Sequence, residues 1–158
     1  MADHTDTVAP KIPTYTAEHA ERLIKSKSIT GDYHVSGNLY LRGCDLSGVT
    51  LPSSIGGWLD LSGCDLSGVT LPSSIGGWLY LRGIKPIAAP SNWYSQKGEA
   101  TKRRVIASDG EYALIQLDSG GFVAGCRNFQ SAAAALSHWK RTDKRAVIFT
   151  AAIKALTA

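Results

Sequence analysis

Cys126 lies in the stretch "AGCRNF", where the adjacent Arg127 would favour its thiolate, and His138 follows in the next helical stretch as a potential base. Nucleophilic catalysis would also need a group that orients the histidine, and no third residue of that kind is readable, so Cys126 is expected to be a packing cysteine at the end of a strand. Cys44 and Cys64 recur twenty residues apart, a spacing that on neighbouring strands would put them about 5 Å from each other. A disulfide or half of a zinc site would fit that geometry, but zinc wants four ligands and no histidine or third cysteine recurs at the same level. Asp45 and Asp65 stack in the same way, as do Ser54 and Ser74; paired carboxylates can hydrolyse sugars, yet a like-charge ladder on an outer loop is expected to stay solvated. "SIGGW" lacks the Lys and Ser/Thr of a phosphate-binding loop. The chain is therefore expected to be no enzyme, with no catalytic residue, no metal and no cofactor.

Non-covalent chemistry is better represented. Lys140, Arg141, Lys144 and Arg145 flank Trp139, and Arg103, Arg104 and Arg127 lie nearby in the same half of the chain. Residues 83–158 carry eleven Lys/Arg against five Asp/Glu, whereas residues 1–42 balance at five and five and residues 43–82 carry one against three. These seven basic residues are candidates for contact with phosphates or with an acidic partner. No helix-turn-helix spacing or RNA-recognition signature accompanies them, which makes nucleic acid the alternative partner and not the leading one.

The leading candidate surface comes from a repeat. "GCDLSGVTLPSSIGGWLDLS" (43–62) returns as "GCDLSGVTLPSSIGGWLYLR" (63–82), changed only at Asp60 to Tyr80 and Ser62 to Arg82. A third, degenerate unit precedes them: Ile29, Thr30, Val35 and Gly37 align with Val49, Thr50, Ile55 and Gly57. Alternation along an extended strand sends Leu39, Leu41, Leu59 and Leu61 inward and their neighbours outward. Stacked units then build an outer grid of three rows: Asn38, Trp58 and Trp78; Tyr40, Asp60 and Tyr80; Arg42, Ser62 and Arg82. Core positions are held by stacking while outer positions are free to vary, and both substitutions fall on the grid. Trp, Tyr and Arg are the residues most enriched at binding hot spots, so Tyr40, Arg42, Trp58, Asp60, Trp78, Tyr80 and Arg82 are the predicted partner-binding residues.

"LDLSGCDL" and "LYLRGCDL" match the leucine-rich core L-x-L-x-x-[N/C]-x-L, and with "LP" at Leu51-Pro52 and Leu71-Pro72 the region 29–86 resembles the short bacterial leucine-rich repeats of secreted effectors and of small phage and prophage proteins. Read in fives, "CDLSG", "VTLPS" and "LDLSG" also resemble the pentapeptide-repeat family, a frame interrupted at Gly56 and Gly76. Both frames send the same leucines inward. The stretch "FVAGCRNFQSAAAALSHW" resembles a C-terminal module of small phage and prophage proteins. These resemblances imply a viral or mobile-element origin, and hence a host protein, such as a defence nuclease or CRISPR effector, as the partner.

Other elements must position this grid. Residues 1–15, with two prolines, read as a flexible arm, and Thr16 as the N-cap of a capping helix (16–28) with Ala20, Leu23 and Ile24 on one face. A linker (87–101) follows the repeat. Then "KRRVIAS", "EYALIQL" and "GFVAGC", parted by "DG" and "DSGG", read as a three-stranded meander, and two helical stretches close a basic α+β domain (102–158), the second with Thr142 as its cap. The predicted fold is α+β: a short parallel β-solenoid of three coils, leucine-rich-repeat-like, capped by an N-terminal helix and followed by a β-β-β-α-α domain. With 44% apolar residues, no apolar run near membrane-spanning length, no secretory signal and three cysteines, the expectation is a cytoplasmic protein of a bacterial host. The expected function is non-enzymatic protein binding, an inhibitor of a bacterial defence system that acts by occlusion.

Overall fold

The computed structural model describes residues 9–139 and 143–158. The fold is α+β. Thr16 caps helix α1 (Ala17–Lys25), its Oγ1 accepting a hydrogen bond from the His19 amide at 3.3 Å. Ala20 and Ile24 are buried and Leu23 partly so, which is the apolar face the spacing predicts.

Each twenty-residue unit contributes two short strands to two different parallel sheets. Strands β2 (His34–Val35), β4 (Ser54–Ile55) and β6 (Ser74–Ile75) pair in register, Val35 opposite Ile55 and Ile55 opposite Ile75. Strands β3 (Leu39–Tyr40), β5 (Leu59–Asp60) and β7 (Leu79–Tyr80) form the second, three-stranded sheet, with Leu39, Leu59 and Leu79 in line and Tyr40, Asp60 and Tyr80 in line. Leu39, Leu41, Leu59 and Leu61 are wholly buried, as alternation requires. The L-x-L pattern announces only the second sheet; a Ser-Ile pair is too short to show a period, so the first sheet had no sequence signal beyond its recurrence.

That first sheet extends into segments expected to be unstructured. Thr14–Tyr15 is not part of a flexible arm: it forms β1, pairs parallel with β2, and Tyr15 packs on Tyr33 at 5.7 Å between ring centroids. Ser95–Gln96 is not linker either: it forms β8 against β6 and completes a five-stranded sheet of order β1-β2-β4-β6-β8. Just before β8 the Asn92 carboxamide accepts from the Leu71 amide and donates to the Leu71 carbonyl, at 2.9 and 3.0 Å, as a backbone unit would. After β8 the chain turns back at Gly98 (φ 77°), and Tyr94 and Arg103 exchange two backbone hydrogen bonds of 2.8 Å.

The C-terminal part is an antiparallel meander of β9 (Arg103–Ser108), β10 (Ala113–Leu117), β11 (Phe122–Ala124) and β12 (Arg127–Phe129), in that spatial order, with α2 (Ala132–His138) and α3 (Lys144–Thr157) on one face. It has four strands where three were expected. Ala124 pairs with Arg127 across a two-residue loop whose first member, Gly125, has φ 58°, the place a tight hairpin turn reserves for glycine. The cap of α3 is Asp143, which accepts from the Ala146 amide at 2.9 Å; Thr142, expected in that role, lies outside the described residues.

An extra residue, Ile106, opposes the Leu114–Ile115 step, and this bulge splits the sides of β9. Val105 and Ala113 join the core of the repeat, while Ile106, Ala107, Leu114 and Phe122 pack with Ala135, Phe149 and Ile153 of the helices. The meander is thus a lid on the last repeat unit with a second small core on its far side. No helix among the described residues is long and apolar enough to cross a membrane.

Candidate functional site

The second sheet builds the aromatic face. Its outward row begins with Tyr40, Trp58, Trp78 and Tyr80, which are 49%, 43%, 60% and 42% exposed. No other segment among the described residues covers them. The Trp58 ring meets the Tyr80 ring edge-on at 6.1 Å. Trp58 also folds along the stack: a Cβ placed on Gly77 would fall 1.9 Å from its ring. Asn38 holds the equivalent place one unit earlier, its Oδ1 accepting from the Trp58 amide at 2.9 Å and lying over Gly57. The second glycine of each "GG" is therefore required by the outer side chain of the preceding unit. Trp78 has no later unit to lie on, and it is the most exposed of the four.

Asp60 needs correction. It points outward in register, but at 9% exposure it is no contact residue. A small side chain between Tyr40 and Tyr80 is overshadowed by both; its Oδ1 accepts from the Ser62 amide at 2.9 Å, and Arg42 reaches Oδ2 at 3.5 Å. Ser62 is buried for the same reason, whereas Arg82, at the end of the stack, is exposed. The outer face that remains consists of four aromatic rings, Arg42 with its own carboxylate, and a free Arg82.

The basic set is reduced further. Arg103 is held by Glu99 at 2.7 Å, and Arg104 donates to Gln116 at 2.8 Å while stacking on Trp93 at 4.6 Å. Arg145 donates to Asp109 at 2.5 Å and to Glu111 at 3.0 Å, and its guanidinium lies over the Tyr112 ring at 4.4 Å. These three arginines are engaged within the chain and tie the meander together. Burial alone would raise the pKa of Asp109, but the Tyr112 amide, Arg145 and the Glu111 amide all donate to its carboxylate and hold it below the usual range. Lys140 and Arg141 lie outside the described residues. Arg127 and Lys144 are exposed, and both line a groove of about 1090 Å³ whose other walls include Asp109, Glu111 and Asp143. That mixture of signs is not a phosphate track.

Cys126 and His138 line the same groove, but no hydrogen bond joins them, and the His138 ring is occupied by Phe129 and Trp139 at 5.3 and 5.5 Å. A pair unread in the sequence is Ser54 and His34, which stand one above the other in the first sheet with Ser54 Oγ 2.7 Å from His34 Nδ1. Their alignment was visible in the repeat; among the described residues no carboxylate orients the ring, so the pair has two of the three parts of a nucleophilic triad. Asp45 and Asp65 each accept from the amide two residues on, Ser47 and Ser67, and Lys27 reaches Asp45 at 2.8 Å; they brace turns.

The three thiols are free. Cys64 is buried, its Sγ donating to the Leu41 carbonyl at 3.0 Å, and burial pushes its thiol pKa up; Cys44 is partly covered and Cys126 exposed. A maleimide reagent on the native chain is expected to label Cys126 first, Cys44 more slowly and Cys64 only with unfolding. Mass spectrometry of the peptides checks the order, and prompt labelling of Cys64 would contradict this packing.

Compared with family models, with curated proteins and with solved structures, the chain matches none.

Proposed function

We propose that the repeat is a short leucine-rich-type β-solenoid whose outer face binds a protein partner, with no catalytic step. The observation that carries this reading is four large aromatic side chains exposed side by side on one three-stranded sheet, left uncovered by the rest of the described chain. A continuous exposed patch of this kind is unusual in a monomer and marks an interaction surface. The residues assigned to it are Tyr40, Trp58, Trp78, Tyr80 and Arg82, with Arg42 at the rim. A bacterial defence protein as the partner, such as a nuclease or CRISPR effector held by occlusion, rests on the resemblance of the repeat and the C-terminal stretch to small phage proteins.

The test is capture of a partner from bacterial lysate, with and without nuclease, by the native chain and by Trp78→Ala and the Trp58→Ala/Trp78→Ala double variant. Each hot-spot tryptophan is expected to contribute about 2 kcal/mol, so the double variant should lose about a thousandfold in affinity. Trp78→Ala removes the most exposed of the four rings and serves as the less disruptive case. Undiminished binding by the double variant, or capture that disappears with nuclease, would sink the reading. The nucleic-acid alternative finds little support once Arg103, Arg104 and Arg145 are paired internally.

A further inference from the structure

The stack ends unevenly. In the first sheet β8 supplies a strand beyond β6, but the chain then turns at Gly98, with the Glu99 amide bonded to the Gln96 carbonyl at 3.1 Å, and returns into β9. Among the described residues no matching strand is laid beside β7. In the first two units of the second sheet the leucines donate to the following unit: Leu39 to Trp58 and Leu41 to Asp60, then Leu59 to Trp78 and Leu61 to Tyr80, at 2.7 to 2.9 Å. The equivalent amides of Leu79 and Leu81 have no partner among the described residues, and Leu79 is only partly covered where Leu39 and Leu59 are wholly buried. The opposite edge is closed differently: α1 packs along β3 and Glu21 Oε1 accepts from the Tyr40 amide at 2.9 Å.

We infer that the β7 edge is a template for strand addition, and that its occupant is an extended, acidic segment of the protein partner, laid beside Leu79–Leu81 as the missing fourth strand. The inference rests on the protein-binding reading of the same face and specifies how the partner would be held. Leu79 and Leu81 would donate to it and Leu79 would accept from it, repeating the bonds between β5 and β7. Trp78, Tyr80 and Arg82 stand in one outward row along this edge, ready to flank alternate side chains of the added strand. The charges there are unbalanced. Arg82 is exposed with no acidic partner among the described residues, while the carboxylates beside this edge, Asp60 next to Tyr80 and Glu111 next to Gly83, are engaged by Arg42 and Arg145. A second copy of the chain fits less well. The meander is bonded next to β7, Gly83 donating to Glu111 at 2.8 Å, so two copies joined at this edge would bring their meanders together where one strand has room.

The probe is a capped heptapeptide with valine at alternate positions and tyrosine and glutamate between them, added to the nitrogen-15-labelled full chain and followed by NMR. The Leu79 and Leu81 amides report the edge; the Trp58 and Trp78 indoles report the face. In the free chain the Leu79 amide should exchange rapidly with solvent. With the peptide both amides should shift and Leu79 exchange should slow about tenfold or more. N-methylation of the valine opposite Leu79, or lysine in place of glutamate, should weaken binding about tenfold, and Arg82→Glu should reverse the preference for glutamate over lysine. Equal binding of the N-methylated peptide overturns the proposal. So does a Leu79 amide already protected in the free chain, or one protected in proportion to chain concentration, which would signal self-pairing. Indole shifts without amide shifts would keep the face and discard the edge. No response at any of the four signals also discards the edge, while the face is then judged separately by partner capture with the Trp78 variant.

Discussion

Gly76→Ala is expected to destabilise the fold by about 3 kcal/mol or more, whereas Gly56→Ala, the same letter of the repeat one unit earlier, should change stability by less than about 1 kcal/mol. A Cβ on Gly76 would lie 2.2 Å from the Gly56 carbonyl oxygen and 2.6 Å from its carbon. That neighbour is backbone, tied on both sides: the Gly56 amide donates to Val35 at 2.9 Å and the Gly76 amide to Ile55 at 2.7 Å. It cannot withdraw without breaking the ladder. A Cβ on Gly56 meets nothing nearer than 3.6 Å, and neither glycine has the positive φ that would itself forbid alanine. Gly56→Ala can even gain a little, because alanine restricts the unfolded chain. Urea unfolding of both variants checks the contrast, and the Tm of Gly76→Ala should fall by about 6 °C or more. Equal effects would mean that the units do not stack at the spacing described.

The second large effect is expected in the leucine column. Leu59 is wholly buried between Leu39 and Leu79, and truncating it should cost about 3 to 4 kcal/mol, the lost burial plus a cavity that two flanking strands cannot close. Leu79, the same position of the repeat one unit on, ends the column and is partly exposed. Leu79→Ala should cost about half as much, since less area is lost and solvent can reach the site. Denaturant midpoints at unchanged m values give both numbers. A Leu79→Ala cost equal to that of Leu59→Ala would show that the β7 edge is covered, and would remove the basis for strand addition as well.

The parts of the protein legible in the sequence are those decided within a few residues of themselves. Thr16 before an apolar helical face, the glycines that begin tight turns, and the inward leucines of L-x-L all act through local geometry. The outward direction of Trp58, Trp78, Tyr40 and Tyr80 follows from the same alternation. What was misread depends on distant neighbours. Arg145 finds Asp109 across 36 residues, a partner no local pattern announces. β1 and β8 are two-residue strands whose only reason to exist is an adjacent strand to pair with, so no pattern inside them could announce it.

The repeat itself divides along this line. By its own letters the sequence determined a period of twenty, two units alike at all but two positions, and the direction of the side chains along the L-x-L strand. Place in the stack was decided by tertiary structure alone. Asp60 is shielded because it has a tyrosine above and below, Arg82 is free because nothing follows it, and Gly76 is indispensable where Gly56 is not. The reason is physical: burial and steric contact belong to a residue and its neighbours together, and in a short stack each copy of the same sequence has different neighbours. The open edge of β7 comes from the same cause: among the described residues no further unit follows Arg82 to pair with it.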